Sequence, residues 1–210
     1  MAKETVLNSV EEVIEDFRIG KPVIVVDDED RENEGDFIVA AEKITPEIVN
    51  FMLKEGRGVL CAPLSAEYAA RLGLAEPAGK HDPRHTAFTQ SVDAVEGTTT
   101  GVSAFDRART VARLVDPAST LEDFYSPGHL FPLIARPGGV LERPGHTEAS
   151  VDMAVLAGLP PVAVLCEILK DDGTMARVPD LELYAKKHHL KMGSVADLIA
   201  YRRRLNCVCA

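Results

Sequence analysis

The chain has 210 residues, 46% of them apolar, which is enough to bury a core and excludes wholesale disorder. Its formal net charge of −10, from 33 acidic and 23 basic residues, disfavours binding to nucleic acid or to an anionic membrane surface. Aromatic residues make up only 5% and tryptophan is absent, so a protein that stacks on single-stranded bases is disfavoured as well.

The sequence has no apolar run that approaches the ~18 residues of a membrane span, and its N-terminus lacks the apolar segment of a signal peptide. We therefore expect a cytoplasmic protein without a membrane partner. Four cysteines are too few and too scattered for a disulfide framework. Cys61 and Cys166 lie in apolar segments and are expected to be buried thiols, whereas Cys207 and Cys209 form a C-x-C pair that is a poor zinc site without a second pair.

Helix and strand signals alternate through the N-terminal half. Ser9 and Glu12 form a capping box for a helix that Gly20 closes, and Pro46 opens another helix that runs to about Glu55. The remaining predicted elements of this half are strands at 22–26, 36–41 and 58–64, a helix at 66–72, a loop at 76–85 and a strand at 87–95.

In the C-terminal half, Ser103 caps a helix that reaches about Val115, and Ser194 caps the last helix. The other predicted elements are a loop at 116–128 with one helical turn at most, strands at 129–136 and 162–169, and helices at 146–157, 180–189 and 194–205. Strands joined by turns as well as by helices predict an α/β fold of the α+β type. We expect one compact domain, residues 1–210, with a mixed β-sheet flanked by helices.

The most unusual segment, residues 27–36, has seven acidic residues and one arginine in ten positions. A solvated charged loop is the ordinary interpretation of such a run. Here, however, the run joins two apolar strands, so it lies at a sheet end, where ligands often bind. Because mutual repulsion among so many carboxylates is costly without a cation, the pattern predicts a cation site.

The order Asp30-x-Glu32-x-Glu34-Gly35 imitates the start of a calcium-binding EF-hand loop. The twelfth position would be Ala41 instead of a bidentate glutamate, and the flanks are strands, so this interpretation fails. A hard, oxygen-preferring ion such as Mg²⁺, held by few protein ligands, is expected instead.

Residues 136–148 turn on glycines and then begin a helix near His146. An arginine, backbone amides and a threonine hydroxyl at a helix N-terminus suit a phosphate, although an ordinary capped turn is the alternative. The segment 97–103 also precedes a helix and is either a source of hydroxyls for an anion or merely a polar turn. His129 begins one apolar strand and Glu167 ends another, where such residues are more often structural; a buried Glu167 would need a partner or a raised pKa.

Four segments together resemble the 3,4-dihydroxy-2-butanone 4-phosphate synthases of riboflavin biosynthesis: DDEDRENEGDF, GTTTGVSAFDRARTV, RPGGVLERPGHTEASVDMAVLAGL and VAVLCEILKDDGTMAR. The resemblance runs in order from about Val10 to Arg203. It implies a lyase that converts D-ribulose 5-phosphate into L-3,4-dihydroxy-2-butanone 4-phosphate and formate, with two Mg²⁺ or Mn²⁺ ions per site. It also implies a homodimer with active sites at the subunit interface.

The same resemblance implies the site residues. Glu32 and His146 are the expected metal ligands. The expected catalytic residues are His129, Glu167, Glu34 and Asp36. The expected substrate contacts are Arg31, Glu32, Asp36, Thr100, Arg143, Pro144, Gly145, His146, Thr147 and Glu167.

Three positions depart from the family pattern, and the departures concern local geometry rather than the reaction. Pro144 removes an amide that could meet the phosphate, and His85 and Gln90 stand where the family usually has a glycine and an apolar residue.

None of the metal-binding cysteines of a GTP cyclohydrolase II domain follows before Ala210, so a monofunctional enzyme is expected. Two other functions stay open: a non-catalytic module that binds metal and phosphate, and a magnesium-dependent sugar-phosphate isomerase or aldolase, which would release no formate.

Overall fold

A computed structural model describes residues 7–79, 84 and 86–208, and over these residues it has seven strands and seven α-helices. The strands are β1 Val23–Val26, β2 Gly35–Ala40, β3 Cys61–Ser65, β4 Val92–Ala94, β5 Phe124–Ala135, β6 Ala163–Glu167 and β7 Met192–Ser194. The helices are α1 Val10–Arg18, α2 Pro46–Phe51, α3 Ala66–Arg71, α4 Ala104–Val115, α5 His146–Leu156, α6 Val178–His188 and α7 Val195–Val208.

The strands form one mixed sheet in the order β4-β5-β3-β6-β2-β1-β7, which confirms the predicted fold class. The pairs β3–β5 and β1–β7 are parallel, and the other neighbours are antiparallel. Strand β2 pairs with β6 in a register that sets Asp36 directly opposite Glu167. Two acidic side chains separated by 131 positions in the chain are therefore neighbours at the same end of these two strands.

Apolar side chains pack on both faces of the central strands. In β1, Ile24 and Val26 face one core, and Val23 and Val25 face the other, as the alternation of a strand requires. Helices α2, α4 and α6 cover the first face, and α1, α5 and α7 cover the second. Burial on both faces explains why β1 and β2 read as continuous apolar runs.

Most predicted elements are present. The Ser9–Glu12 capping box starts α1, and Pro46 is the first residue of α2. At the start of α7, the hydroxyl of Ser194 accepts a hydrogen bond from the backbone N–H of Asp197. The helix after Pro46 changes to a π-helical turn, Met52–Gly56, and ends at Arg57 in the left-handed region. Cys61 and Cys166 are buried free thiols, as expected.

Several predicted boundaries are wrong. The expected strand at 87–95 shrinks to β4, because Phe88 makes only an isolated bridge to Leu133. The expected loop at 116–128 ends early, because β5 begins at Phe124 through its pairing with Ala94. The strand expected at 58–64 begins only at Cys61, and β7 was not predicted.

The side chain of Cys207, together with Cys209 and His85, lies outside the described residues, as does most of the segment 80–85. Within the described part of the chain, no helix has both the length and the apolar composition needed to cross a membrane.

Candidate active site

A cavity of about 210 Å³ opens at the strand ends of the sheet, where β1 ends and β2 begins. Helix α5 contributes its first residues to the wall, and β6 contributes its last residue. Eight of the predicted site residues line this cavity: Arg31, Glu32, Glu34, Asp36, Arg143, His146, Thr147 and Glu167.

Asp27, the first residue after β1, holds the acidic loop in shape. Its buried carboxylate accepts the backbone N–H groups of Glu34 at 2.9 Å and of Glu32 at 3.1 Å. It also accepts Nη1 of Arg31 at 2.8 Å. The loop therefore folds around one carboxylate, which directs the side chains of Glu32 and Glu34 toward the cavity.

A second contact holds the loop from outside. Nη1 of Arg177 donates to the carbonyl oxygens of Glu32, at 2.9 Å, and of Asn33, a residue in the left-handed region. Neither Asp27 nor Arg177 was singled out from the sequence as a site residue. The signal for Asp27 is its position at the end of a buried strand, whereas nothing local indicates the contact between Arg177 and the loop.

His146 opens α5 and faces two carboxylates. Its Nε2 lies 3.2 Å from the carbonyl oxygen of Val25, so this nitrogen donates, and Nδ1 points to Glu32 Oε2 at 3.7 Å and Asp36 Oδ2 at 3.9 Å. A backbone carbonyl that holds one ring nitrogen is the usual support for a metal-ligating histidine, because it fixes the tautomer with the other nitrogen free. The side chain of His146 is almost completely buried.

The carboxylates of the cavity differ in pKa. The neighbouring His146, together with Arg31 and against the effect of burial, lowers the pKa of Glu32 to about 2. Burial raises the pKa of Asp36, and burial with the nearby charge of Glu32 raises the pKa of Glu34. Burial alone would lower the pKa of His146, but the charges of Asp36 and Glu32 raise it instead. Such divergence lets neighbouring carboxyl groups hold different protonation states.

The donor set fits a divalent cation. Ligand atoms of Asp27, Glu32 and His146 lie within 4.8 Å of one another. In addition, Oδ1 of Asp36 is buried and has no hydrogen-bond partner among the described residues. A buried carboxylate oxygen without a partner is costly, and a cation with its water ligands would satisfy it. The oxygen-rich composition suits Mg²⁺ better than a soft metal.

Arg143 marks the opposite end of the cavity. Its Nη1 donates to Glu148 at 2.6 Å, Nη2 to the hydroxyl of Thr86 at 2.8 Å, and Nε to the carbonyl oxygen of Arg84 at 3.1 Å. Glu148 is 1% exposed and also accepts the backbone N–H of Arg136. Three partners therefore fix the guanidinium group and still leave two of its five N–H donors for an anion.

Gly145 brings the backbone close to this arginine. A Cβ atom there would collide with Nη1 of Arg143 and would approach Nη2 of Arg31 to 2.8 Å. Gly145 is also the N-cap of α5, where no side chain of the described residues caps the helix, so the first N–H groups of α5 are left for a ligand. Two arginines and a helix N-terminus together make an anion pocket. Pro144 is exposed and does not line the cavity.

Glu167 has the partner that a half-buried carboxylate needs. Its Oε2 accepts the backbone N–H of Val59 at 2.7 Å, and Gly58 packs against it so closely that a Cβ atom would lie 2.5 Å from Oε2. Glu167 and Asp36 both line the cavity from paired strands. One substrate could therefore contact both carboxyl groups.

The structure does not bring His129 and Thr100 into this cavity. His129 lies in β5 with its ring about half exposed, and Thr100 lies in an exposed turn before α4. Nδ1 of His129 contacts Oδ2 of Asp93 at 2.7 Å, a partner that the sequence did not indicate. In a single chain, two of the predicted site residues thus belong to a different surface.

The chain matches a family model described as 3,4-dihydroxy-2-butanone 4-phosphate synthase over residues 11–201. It is 60% identical over 205 residues to the riboflavin biosynthesis protein RibBA of Aquifex aeolicus, covering 96% of this chain and 50% of the relative. It is 59% identical over 196 residues to RibBA of Bacillus mycoides, covering 92% of this chain and 49% of the relative. The chain thus spans about half the length of the curated relatives it matches.

Solved structures of the same family have a similar fold. A 3,4-dihydroxy-2-butanone 4-phosphate synthase in complex with two magnesium ions superimposes with a TM-score of 0.90 at 41% identity, covering 94% of this chain and 98% of that one. RibBX from A. baumannii, a two-domain synthase of the same type, gives a TM-score of 0.90 at 50% identity, covering 93% of this chain and 58% of that one.

Proposed function

The chain belongs to the 3,4-dihydroxy-2-butanone 4-phosphate synthase family, and we propose that its cavity converts D-ribulose 5-phosphate into L-3,4-dihydroxy-2-butanone 4-phosphate and formate. The predicted lyase-type synthase of riboflavin biosynthesis is confirmed at the level of the family. The observation that carries the proposal is the pairing, in one cavity, of an anion pocket at Arg143 with the group formed by Glu32, Asp36 and His146. A small sugar phosphate needs both, because its phosphate binds in the anion pocket and its sugar carbons react at the other end of the cavity.

We assign Glu32 and His146 as the protein ligands of Mg²⁺, supported by the contact of Nε2 of His146 with the carbonyl oxygen of Val25, which leaves Nδ1 facing Glu32. A relative is known with two magnesium ions, and we extend that number to this site, where Mn²⁺ is the alternative ion. When bound, a divalent cation polarises a carbonyl group and stabilises negative charge on the neighbouring oxygens.

The substrate phosphate is assigned to Arg143 and to the N–H groups of His146 and Thr147 at the start of α5. Gly145, whose own N–H donates to the carbonyl oxygen of Arg143 at 2.9 Å, contributes the close approach of the backbone. Pro144 has no N–H to donate to the phosphate, so in this part of the turn the phosphate contact comes from Arg143. Binding the phosphate at a fixed point converts remote binding energy into positioning of the sugar carbons. Arg31, whose Nη2 lies beside Gly145, closes the space between the two ends of the cavity.

The proton transfers are assigned to the carboxyl groups at the other end. The reaction removes the C3 proton, loses the C1 hydroxyl group as water, rearranges the carbon skeleton and releases C4 as formate. Asp36, Glu34 and Glu167 all line the cavity, and Asp36 and Glu167 are cross-strand neighbours, so more than one carboxyl group can reach one substrate. This arrangement suits a reaction with several proton transfers at adjacent carbons.

We propose a homodimer whose active sites lie at the interface, because His129 and Thr100 are outside the cavity of their own chain. A second copy would bring them to it. Exposed apolar side chains support this: Phe88, 40% exposed, lines the cavity mouth, and Tyr125, 60% exposed, lies four residues before His129. The single domain of 1–210 and the cytoplasmic location stay predictions.

The function is tested by incubating the chain with ribulose 5-phosphate and Mg²⁺ and measuring formate with and without EDTA. We expect formate release that EDTA abolishes and that excess Mg²⁺ restores. Consumption of the substrate without formate would favour an isomerase or aldolase. Binding of metal and sugar phosphate without any turnover would favour a non-catalytic module.

A further inference from the structure

Asp93 holds His129 by two contacts at once. Its Oδ1 accepts the backbone N–H of His129 at 2.9 Å, and its Oδ2 contacts ring atom Nδ1 of the same residue at 2.7 Å. The side chain of Asp93 is 10% exposed and that of His129 is 48% exposed. A buried carboxylate therefore anchors a ring that projects outward.

The turn before α4 covers this contact. Gly101 has a φ of +84°, and a Cβ atom there would collide with Oδ2 of Asp93 and would lie 2.7 Å from Nδ1 of His129. Asp106 holds the turn in place, because its carboxylate accepts the Gly101 amide at 3.1 Å and the Thr99 hydroxyl at 2.9 Å. The turn thus shields the hydrogen bond between Asp93 and His129 from solvent. A shielded hydrogen bond is stronger than one exposed to water.

This geometry leaves one tautomer for the neutral ring. An ionised carboxylate only accepts hydrogen bonds, so Nδ1 must carry the proton and donate it to Oδ2. The lone pair is then on Nε2, which makes no hydrogen bond to any of the described residues. We propose that Asp93 is a positioning residue that locks His129 in the Nδ1-protonated tautomer and presents Nε2 as a further proton acceptor of the reaction, beside the carboxyl groups of the cavity. The catalytic part of this proposal rests on the proposed function, whereas the tautomer does not.

Substitution of Asp93 by asparagine should reverse the tautomer. The backbone N–H of His129 needs an acceptor, so the amide oxygen of the new side chain would take the place of Oδ1. The amide NH₂ group would then face Nδ1, which could only accept, and the ring proton would move to Nε2. The volume hardly changes, but the atom presented to the substrate changes from an acceptor to a donor.

The direct test is two-bond ¹H–¹⁵N correlation NMR on protein labelled at its six histidines. The His129 signal is identified by its loss in His129→Gln. We expect a protonated Nδ1 and an unprotonated Nε2 in the wild-type enzyme, and the reverse in Asp93→Asn. A wild-type ring protonated at Nε2 would overturn the proposal, and this measurement needs no variant of Asp93 to fold.

Kinetics give the second test. Asp93→Asn should lower kcat by about 10²-fold or more, the usual range for a lost general base, with little change in KM for ribulose 5-phosphate. Asp93→Glu, which keeps an acceptor for Nδ1, should keep the wild-type tautomer and recover part of kcat.

Asp123→Asn is the matched control, because Asp123 also lies beside β5 but contacts Thr120 and Arg113 instead of a site residue. It should leave kcat unchanged. Unchanged kcat in Asp93→Asn with a reversed tautomer would refute the catalytic part. Absence of formate in the wild-type enzyme would refute the proposed function and leave the tautomer result standing.

Discussion

Replacing Glu148 by glutamine should both destabilise the protein and weaken substrate binding. Glu148 is 1% exposed and pairs at 2.6 Å with Arg143, whose side chain is 12% exposed. In the variant, the amide oxygen can still accept the Arg136 N–H, but the NH₂ group then faces Nη1 of Arg143, so two donors oppose each other. Breaking one partner of a buried pair costs about 3–5 kcal/mol. Because Arg143 borders an open cavity and can turn toward water, we expect the lower end, about 3 kcal/mol.

Two assays measure the two effects. Urea unfolding should give the loss of about 3 kcal/mol, and KM for ribulose 5-phosphate should rise about tenfold, equivalent to ~1.4 kcal/mol, because the guanidinium group loses its fixed orientation. Glu142→Gln is the matched control: Glu142 lies in the same segment but is exposed, and among the described residues it accepts a hydrogen bond only from the Gly138 amide. It should change stability by less than about 0.5 kcal/mol. Equal stability and equal KM for Glu148→Gln and Glu142→Gln would refute the reasoning.

Three further experiments test the site. Glu32→Gln and His146→Ala should each remove most of the metal-dependent formate release with an unchanged circular dichroism spectrum, since the ion has few protein ligands; wild-type turnover at limiting Mg²⁺ would contradict the ligand assignment. Arg143→Ala should raise KM about 10–100-fold, with Arg143→Lys in between, because charge-assisted bonds to phosphate are strong and lysine lacks the planar fork; an unchanged KM would place the phosphate elsewhere. Equal amounts of Glu32→Gln and His129→Gln chains should regain about one quarter of wild-type activity, because half of the dimers are mixed and each mixed dimer keeps one intact site of two; no recovery despite subunit exchange would place both residues in the same chain's site.

The sequence predicted the site best where local patterns decide the structure. The acidic run between two apolar strands indicated a cation site, and the glycine-rich turn before His146 indicated an anion pocket at a helix start. Each signal lies within one short segment of the chain, although the cation site also takes His146 from the second segment. The start of α5 and the capping of α1 and α7 follow from the same kind of local signal.

What the sequence missed depends on pairing between distant segments. Strand β7 is three residues long and exists because Met192–Ser194 runs parallel to β1, and β5 begins early because Phe124 pairs with Ala94. The supporting carboxylates were missed for the same reason. Asp93 meets His129 across 36 positions, and a single acidic residue in a short strand carries no local signal of its partner.

The most direct test of the proposed reaction is to follow one carbon. D-Ribulose 5-phosphate labelled with ¹³C at C4 is incubated with the enzyme and Mg²⁺, and both products are analysed by ¹³C NMR. The proposed reaction predicts that the label leaves entirely as formate and that the four-carbon product is unlabelled. Labelled carbon retained in the sugar-derived product, or formate that carries no label, would contradict it.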